Sequence, residues 1–175
     1  MRRELSRPKA RAALMQELEN ALRRSSAQGV IFGQTVANVA GISGSDLECL
    51  DFLILGGRVT AGRLAEVTGL TTGAITGVVD RLEKAGLVRR ERDGDDRRKV
   101  FISIVPENVA RIGKYYGHLQ RTMQDVFGGY TDAELRLLLR FANQGYETML
   151  AATEALKSML EAPKEKALKK PKRAP

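Results

Sequence analysis

The spacing of the apolar residues changes at Gly86, and this change restricts the possible folds of the chain more than any other feature. In the stretch 71–86, "TTGAITGVVDRLEKAG", the apolar residues recur at the spacing of a helix. Beyond it, "LVRRER" and "KVFISIV" flank "DGDDRR", and the second of these segments alternates apolar and polar residues like a half-buried strand. The sequence therefore predicts a helix that leads into a two-stranded ribbon with a charged tip, turning tightly at Asp93-Gly94.

A second, shorter helix precedes the helix that ends at Gly86. Thr60 is placed to cap "AGRLAEVTG", Thr71 is placed to cap the next helix, and "TGLT" at 68–71 is a short loop with a glycine. "RVT" at 58–60 is long enough for a single strand rung. A short strand, two helices joined by a tight turn and a ribbon form a winged helix-turn-helix, whose second helix enters the major groove of DNA.

Longer helices flank this unit on both sides. Residues 8–40 are predicted to form one helix, and Ser45 is placed to cap the next one. After the ribbon, one helix is expected to continue as far as Phe127, and Thr131 with Glu134 forms a capping box for a long last helix. Because isolated amphipathic helices of this length need a partner, we expect a symmetric homodimer.

The predicted fold class is therefore mainly α (α+β), with a winged helix-turn-helix core and long N- and C-terminal dimerisation helices. The expected domains are a helical dimerisation region made of 8–40 and 107–161, a DNA-binding domain over 41–106, and a disordered basic tail over 162–175.

The charge of the chain favours a polyanionic partner. The formal net charge is +8, but 162–175 hold six of the 29 basic residues and one of the 21 acidic ones, so much of the excess belongs to the tail. No apolar run has the length of a membrane span and the start resembles no secretory signal, so we expect a cytoplasmic protein without a membrane partner. No spacing of residues indicates a metal site, a cofactor or catalysis, so we expect no cofactor and no enzyme.

The predicted second helix has one face almost without side chains. On a helical wheel, Gly73, Thr76, Gly77 and Asp80 lie opposite the apolar residues, with Thr72 and Arg81 at the flanks. A glycine inside a helix lowers its stability by about 1 kcal/mol relative to alanine. Two glycines on one face therefore indicate that this face has a functional role. A face without bulk allows the helix backbone to approach a DNA groove closely, while the alternative is that both glycines are merely tolerated.

The segment 59–105 resembles the DNA-binding core of the multiple-antibiotic-resistance-regulator (MarR) family. The resemblance rests on "LAE" at 64–66, "TT" at 71–72, "DRLE" at 80–83, "GLV" at 86–88 and "DRR" at 96–98. It implies a homodimer with interlocking terminal helices over a pseudo-palindrome. It also implies a transcription regulator, often a repressor that a small-molecule effector releases.

The resemblance also indicates site residues. Asp96 and Arg98 match a wing pair in which the arginine reaches into the minor groove and the aspartate braces it. Many members carry an arginine where this chain has Gly77. Without that side chain, recognition of DNA is expected to depend more on the shape of the DNA and on contacts with its backbone. The predicted DNA contacts are Thr71, Thr72, Gly73, Ala74, Thr76, Gly77 and Arg81 in the recognition helix, Asp96, Arg97, Arg98 and Lys99 in the wing, and Thr60 and Arg90 at the DNA backbone.

Other interpretations remain open from the sequence alone. The same face is also compatible with a winged-helix protein-interaction module that does not bind DNA. Tyr115, Tyr116 and His118 face either an effector crevice or the core, and no effector is indicated. Cys49 is expected to be a semi-buried small residue rather than a redox sensor.

Overall fold

The computed structural model describes residues 7–94, 96 and 98–168, and for Arg7 and 160–168 it describes the backbone alone. The chain divides into two compact units, Met1–Gly117 and His118–Pro175. The predicted fold class is confirmed, because long terminal helices accompany a small sheet. The elements are α1 (Arg7–Ala40), α2 (Gly44–Gly56), β1 (Val59–Thr60), α3 (Ala61–Thr68), α4 (Thr72–Lys84), β2 (Val88–Arg92), β3 (Val100–Ile104), α5 (Pro106–Gly113), a 3₁₀ turn (Lys114–Tyr116), α6 (Gly117–Gly128) and α7 (Asp132–Leu168).

The three strands form one antiparallel sheet in the order β1-β3-β2. The short strand β1 pairs Val59 with Ile102, as the single rung predicted at this place requires. β2 pairs with β3 from Val88↔Ile104 to Arg92↔Val100, which confirms the ribbon. Ile102 is buried, so the sheet lies with one face on the helices.

The core of the first unit joins α2, α3 and α4 to the sheet and to the end of α1. The predicted apolar face of α4 is fully buried, and Val36 and Ala37 bring α1 into the same cluster. The helix α4 therefore buries the stripe that its apolar spacing defines. The largest buried side chains are Leu50, Leu53, Leu64, Ile75, Leu82 and Ile102.

The prediction that Ser45 caps α2 is wrong, because Ser43 is the cap. The Ser43 hydroxyl accepts the Asp46 N–H at 3.1 Å, and the Asp46 carboxylate accepts the Ser43 N–H at 3.1 Å. This reciprocal capping box needs an acceptor three residues after the cap, and Asp46 supplies it for Ser43.

The tight turn expected at Asp93-Gly94 is also wrong, because strand pairing ends at Arg92↔Val100 and leaves a loop over 93–99. The Asp93 N–H donates to the Lys99 carbonyl at 3.0 Å, and the Asp93 Oδ1 accepts the Asp96 N–H at 3.1 Å. The aspartate side chain thus holds a wider loop, as aspartates commonly do in turns.

A third difference concerns the helix expected to continue as far as Phe127. It is interrupted by the 3₁₀ turn, so that α5 ends at Gly113 and α6 begins at Gly117. Glycine is a poor helix former, and one glycine stands at each side of the interruption.

The second unit consists of α6 and α7. Thr131 and Glu134 form the predicted capping box, with the Thr131 N–H donating to Glu134 Oε2 at 2.8 Å. α7 continues to Leu168, so the first seven residues of the expected disordered tail, Pro163 among them, belong to this helix. Residues 169–175 lie outside the described residues. Within the described part of the chain, no helix is both long and apolar enough to cross a membrane.

Gly86 connects α4 to β2, and its backbone conformation explains why a glycine stands there. Its φ of +69° is a conformation that side chains disfavour, and an added Cβ would lie 3.2 Å from Asn108 Nδ2, which donates to the Gly86 carbonyl. We expect Gly86→Ala to lower the free energy of unfolding by about 1–2 kcal/mol, measured by urea denaturation.

The matched control is Gly113→Ala, at a helical position where an added Cβ meets no atom within 4 Å. It should raise the free energy of unfolding by up to about 1 kcal/mol, because alanine is the better helix former. Equal effects of the two substitutions would contradict the role given to Gly86.

Candidate nucleic-acid interface

The bare face of α4 is open to its surroundings. A Cβ added at Gly73 would meet nothing within 4 Å, and one added at Gly77 would meet only Arg81 Nη1 at 3.5 Å. Thr71 caps the helix as predicted, because its hydroxyl accepts the Ala74 N–H at 3.2 Å. Since the opposite face fills the core, the surface that carries the glycines is not part of the packing of its own domain.

Two exposed threonines border this face. The Thr76 hydroxyl donates to the Thr72 carbonyl at 3.0 Å, so its proton is engaged while its oxygen can still accept. The Thr72 hydroxyl makes no hydrogen bond to any residue that the structure describes. Short hydroxyl side chains of this kind can bond to base edges or phosphates without holding the helix away from a groove.

Arg81, predicted to be a DNA contact, is bound to Asp46 of α2. Arg81 Nη2 lies 2.6 Å from Asp46 Oδ1, and Arg81 Nε lies 3.1 Å from both carboxylate oxygens. Burial alone would raise the pKa of Asp46, but hydrogen bonds from Arg81 and Ser43 outweigh it and hold the pKa below its usual 3.8. This contact across the chain left no signal in the local sequence pattern.

Arg90, expected at the DNA backbone, is likewise held by acidic residues of α4. Its Nη2 lies 2.5 Å from Asp80 Oδ1, and its Nη1 contacts Glu83 Oε2. The Arg90 N–H also donates to Glu83 Oε1 at 3.2 Å. The charged residues of "DRLE" therefore attach the recognition helix to α2 on one side and to the first wing strand on the other.

The wing presents Arg98 to solvent. Asp96 Oδ1 accepts both the backbone N–H of Arg98 at 3.1 Å and its Nε at 3.2 Å, while the Arg98 side chain is 92% exposed. Asp96 thus orients the stem of the arginine and leaves its terminal nitrogens available. Lys99 is exposed beside it, and its backbone closes the loop with Asp96 and Asp93. Arg97 lies outside the described residues.

The base of the wing is fixed by Arg58, which sequence reasoning did not single out. Its guanidinium lies 4.5 Å from the centre of the Phe101 ring and 3.7 Å from Asp93 Oδ2. Arg58 therefore connects the start of β1 to the residue that begins the wing loop. A local pattern gives no indication of it, because the contact joins segments that are distant along the chain.

The remaining predicted residues have mainly structural contacts. The Thr60 hydroxyl accepts the Arg63 N–H at 3.2 Å and so caps α3. Tyr116 packs edge-on against Phe32 with 5.3 Å between ring centres, while Tyr115 lines a groove and His118 is exposed on α6.

Cys49 is completely buried rather than semi-buried. Burial, together with the nearby carboxylates of Asp46 and Glu48, raises the pKa of its thiol to about 11. A thiol with so high a pKa is a poor nucleophile.

A helix-turn-helix with an open second helix, followed by a ribbon that carries an exposed arginine, defines the class of winged helix-turn-helix DNA-binding proteins. The sequence profile described as "MarR family" matches residues 40–99. The chain is 35% identical over 153 residues to the HTH-type transcriptional regulator YcgE of Bacillus subtilis (strain 168), a match covering 87% of this chain and 99% of that protein. It belongs to the MarR family of DNA-binding transcription regulators.

Two further comparisons agree with this assignment. The structure of a MarR family protein from Bacillus stearothermophilus superposes with a TM-score of 0.61 at 26% identity, covering 79% of this chain and 96% of the other. The HTH-type transcriptional repressor YetL of Bacillus subtilis (strain 168) is 28% identical over 93 residues, which are 53% of this chain and 55% of YetL.

The open face of α4 leads to a prediction about Gly77. We expect Gly77→Leu to weaken binding to duplex DNA about ten-fold or more. The large side chain would hold the helix away from the groove, and contacts between the helix and the base edges would be lost. Gly77→Ala is the matched control: its Cβ would make an ordinary contact at 3.5 Å, so affinity should change little.

Both Gly77 substitutions should leave stability equal or raise it by up to about 1 kcal/mol, because glycine is the poorest ordinary helix former. Affinity is measured by fluorescence anisotropy and stability by urea denaturation. Normal DNA affinity of the leucine variant would show that the glycine face is not a docking surface.

Proposed function

We propose that the chain is a homodimeric transcriptional repressor that binds pseudo-palindromic duplex DNA and is released by a small-molecule effector. The observation that carries the proposal is the open glycine face of α4 beside the exposed Arg98 of the wing. The helix face suits the major groove, and an arginine at a hairpin tip suits the minor groove, where negative potential is concentrated.

Uncovered apolar side chains on the long helices support a dimer. On α1, Leu14 is 66% exposed and Met15 is 52% exposed, although helices of a stable monomer bury such residues. A second copy of the same chain carries the complementary faces, and a two-fold axis presents two recognition helices about 34–36 Å apart, one turn of DNA. On α7, the exposed apolar residues are Leu137, Leu138, Leu139, Phe141, Tyr146, Met149, Leu150, Leu156 and Met159.

The repressor and effector parts of the proposal have separate support. A similar protein, YetL, is named a repressor, and a dimer bound over a promoter blocks transcription by occupying it. Within the first unit, a groove of about 310 Å³ is lined by residues that include Asn108, Arg111 and Tyr115. This groove is large enough for a small ligand.

The proposal is tested by measuring mass and DNA binding with the same full-length protein. Light scattering after size exclusion should give the mass of a dimer. A duplex selected by the protein from a randomised 40-base-pair library should contain an inverted repeat, and its affinity should fall linearly on a logarithmic plot against salt. A monomer that selects no duplex would instead favour the protein-interaction module.

The wing generates its own prediction. We expect Arg98→Ala to weaken binding to the selected duplex about ten-fold at moderate salt, without changing the dimer or the thermal unfolding curve. The control is Arg136→Ala on α7, which removes the same charge from an exposed arginine that lies 3.7 Å from Asp132 and should leave affinity unchanged. Equal affinities of the two variants would refute minor-groove contact by Arg98.

A further inference from the structure

The guanidinium of Arg81 is held by α2 at a fixed place on the recognition face. The Asp46 carboxylate that binds it is 2% exposed and is itself held by the Ser43 N–H at 3.1 Å. An arginine side chain on a surface is ordinarily mobile, but this one is attached to a buried carboxylate through two of its nitrogens. Its direction is therefore set by the first turn of α2.

The ion pair leaves one edge of the guanidinium without a partner. The group is planar and carries five N–H donors, of which the carboxylate takes those on Nε and one on Nη2. Nη1 makes no hydrogen bond with any residue that the structure describes, and the Arg81 side chain is 55% exposed. The edge formed by Nη1 and the second Nη2 proton can donate two parallel hydrogen bonds.

This unoccupied edge lies against the glycine face. Arg81 Nη1 is 3.5 Å from the position that a Cβ of Gly77 would take, one helical turn earlier. A long side chain at that position would cover the guanidinium, whereas glycine leaves it uncovered.

We propose that Asp46 is a positioning residue for DNA recognition, which presents the unoccupied edge of Arg81 to two adjacent acceptors of one nucleotide. This inference rests on the proposed DNA-binding role of α4. Two DNA groups present paired acceptors at the spacing of a guanidinium edge: the oxygens of a phosphate, and O6 with N7 of a guanine. Asp46 lies under the helix and touches no DNA; its role is to hold the donor in place.

The test uses full-length variants and the duplex selected from the randomised library by the wild-type protein. Asp46→Asn removes a negative charge, so general electrostatics alone would tighten DNA binding. We expect the opposite, a loss of about ten-fold measured by fluorescence anisotropy, because the guanidinium is no longer held. Arg81→Ala should cause a similar loss, and Arg81→Lys should also weaken binding, since lysine keeps the charge but lacks the planar edge.

A double variant with both Asp46→Asn and Arg81→Ala shows whether Asp46 affects DNA binding through Arg81 or independently of it. If Asp46 acts through Arg81, adding Asp46→Asn to Arg81→Ala should cause no further loss of affinity. Ser43→Ala is the matched control, because it removes the hydroxyl that caps α2 but leaves the Asp46 carboxylate in place for Arg81. It should lower the melting temperature without lowering DNA affinity.

Modified duplexes identify the acceptor. If it is a guanine, replacing that base by 7-deazaguanine should weaken the wild-type protein and leave Arg81→Ala unaffected. If it is a phosphate, a single methylphosphonate should show the same selective effect instead.

Unchanged or tighter binding by Asp46→Asn, or additive losses in the double variant, would overturn the positioning role alone. A wild-type protein that selects no duplex would overturn the proposed function and this inference with it.

Discussion

A buried carboxylate, Asp46, is the group on which the arrangement of this domain most depends. A charge removed from water is stable only when hydrogen bonds satisfy it, and Asp46 receives them from the Ser43 backbone and from Arg81. Because these bonds hold its pKa below the usual 3.8, its contribution to stability is present in full above about pH 4 and is lost as the pH falls through the lowered value. One side chain thus completes the capping box of α2 and holds Arg81 of α4.

Pairing among neighbouring charges determines what the domain can offer to DNA. Asp80 and Glu83 form ion pairs with Arg90. Asp46 binds one edge of the Arg81 guanidinium. The charges of Arg81 and Arg90 are therefore paired with carboxylates of α2 and of α4 itself. A helix with small side chains and little unpaired charge suits recognition by shape and by a few oriented donors more than by general attraction.

The sequence predicted those structural features that are determined by residues close together along the chain. The apolar period of α4 and its cap at Thr71 both have local causes, and both are confirmed. The partners of Arg81 and Arg90 were not predicted, because ion pairs across the fold leave no periodic signal. The prediction of Ser45 as the cap was wrong because the reciprocal bonds between Ser43 and Asp46 start α2 two residues earlier than a cap at Ser45 would.

The attachment of Arg98 to Asp96 has a thermodynamic consequence for complex formation. A free arginine side chain loses conformational entropy equivalent to roughly 2 kcal/mol when it is immobilised. Here the backbone amide and Nε share one carboxylate oxygen, so the inner part of the side chain is already ordered in the unbound protein. Part of that loss therefore falls on folding rather than on association, and the arginine meets its ligand with fewer rotamers left to lose.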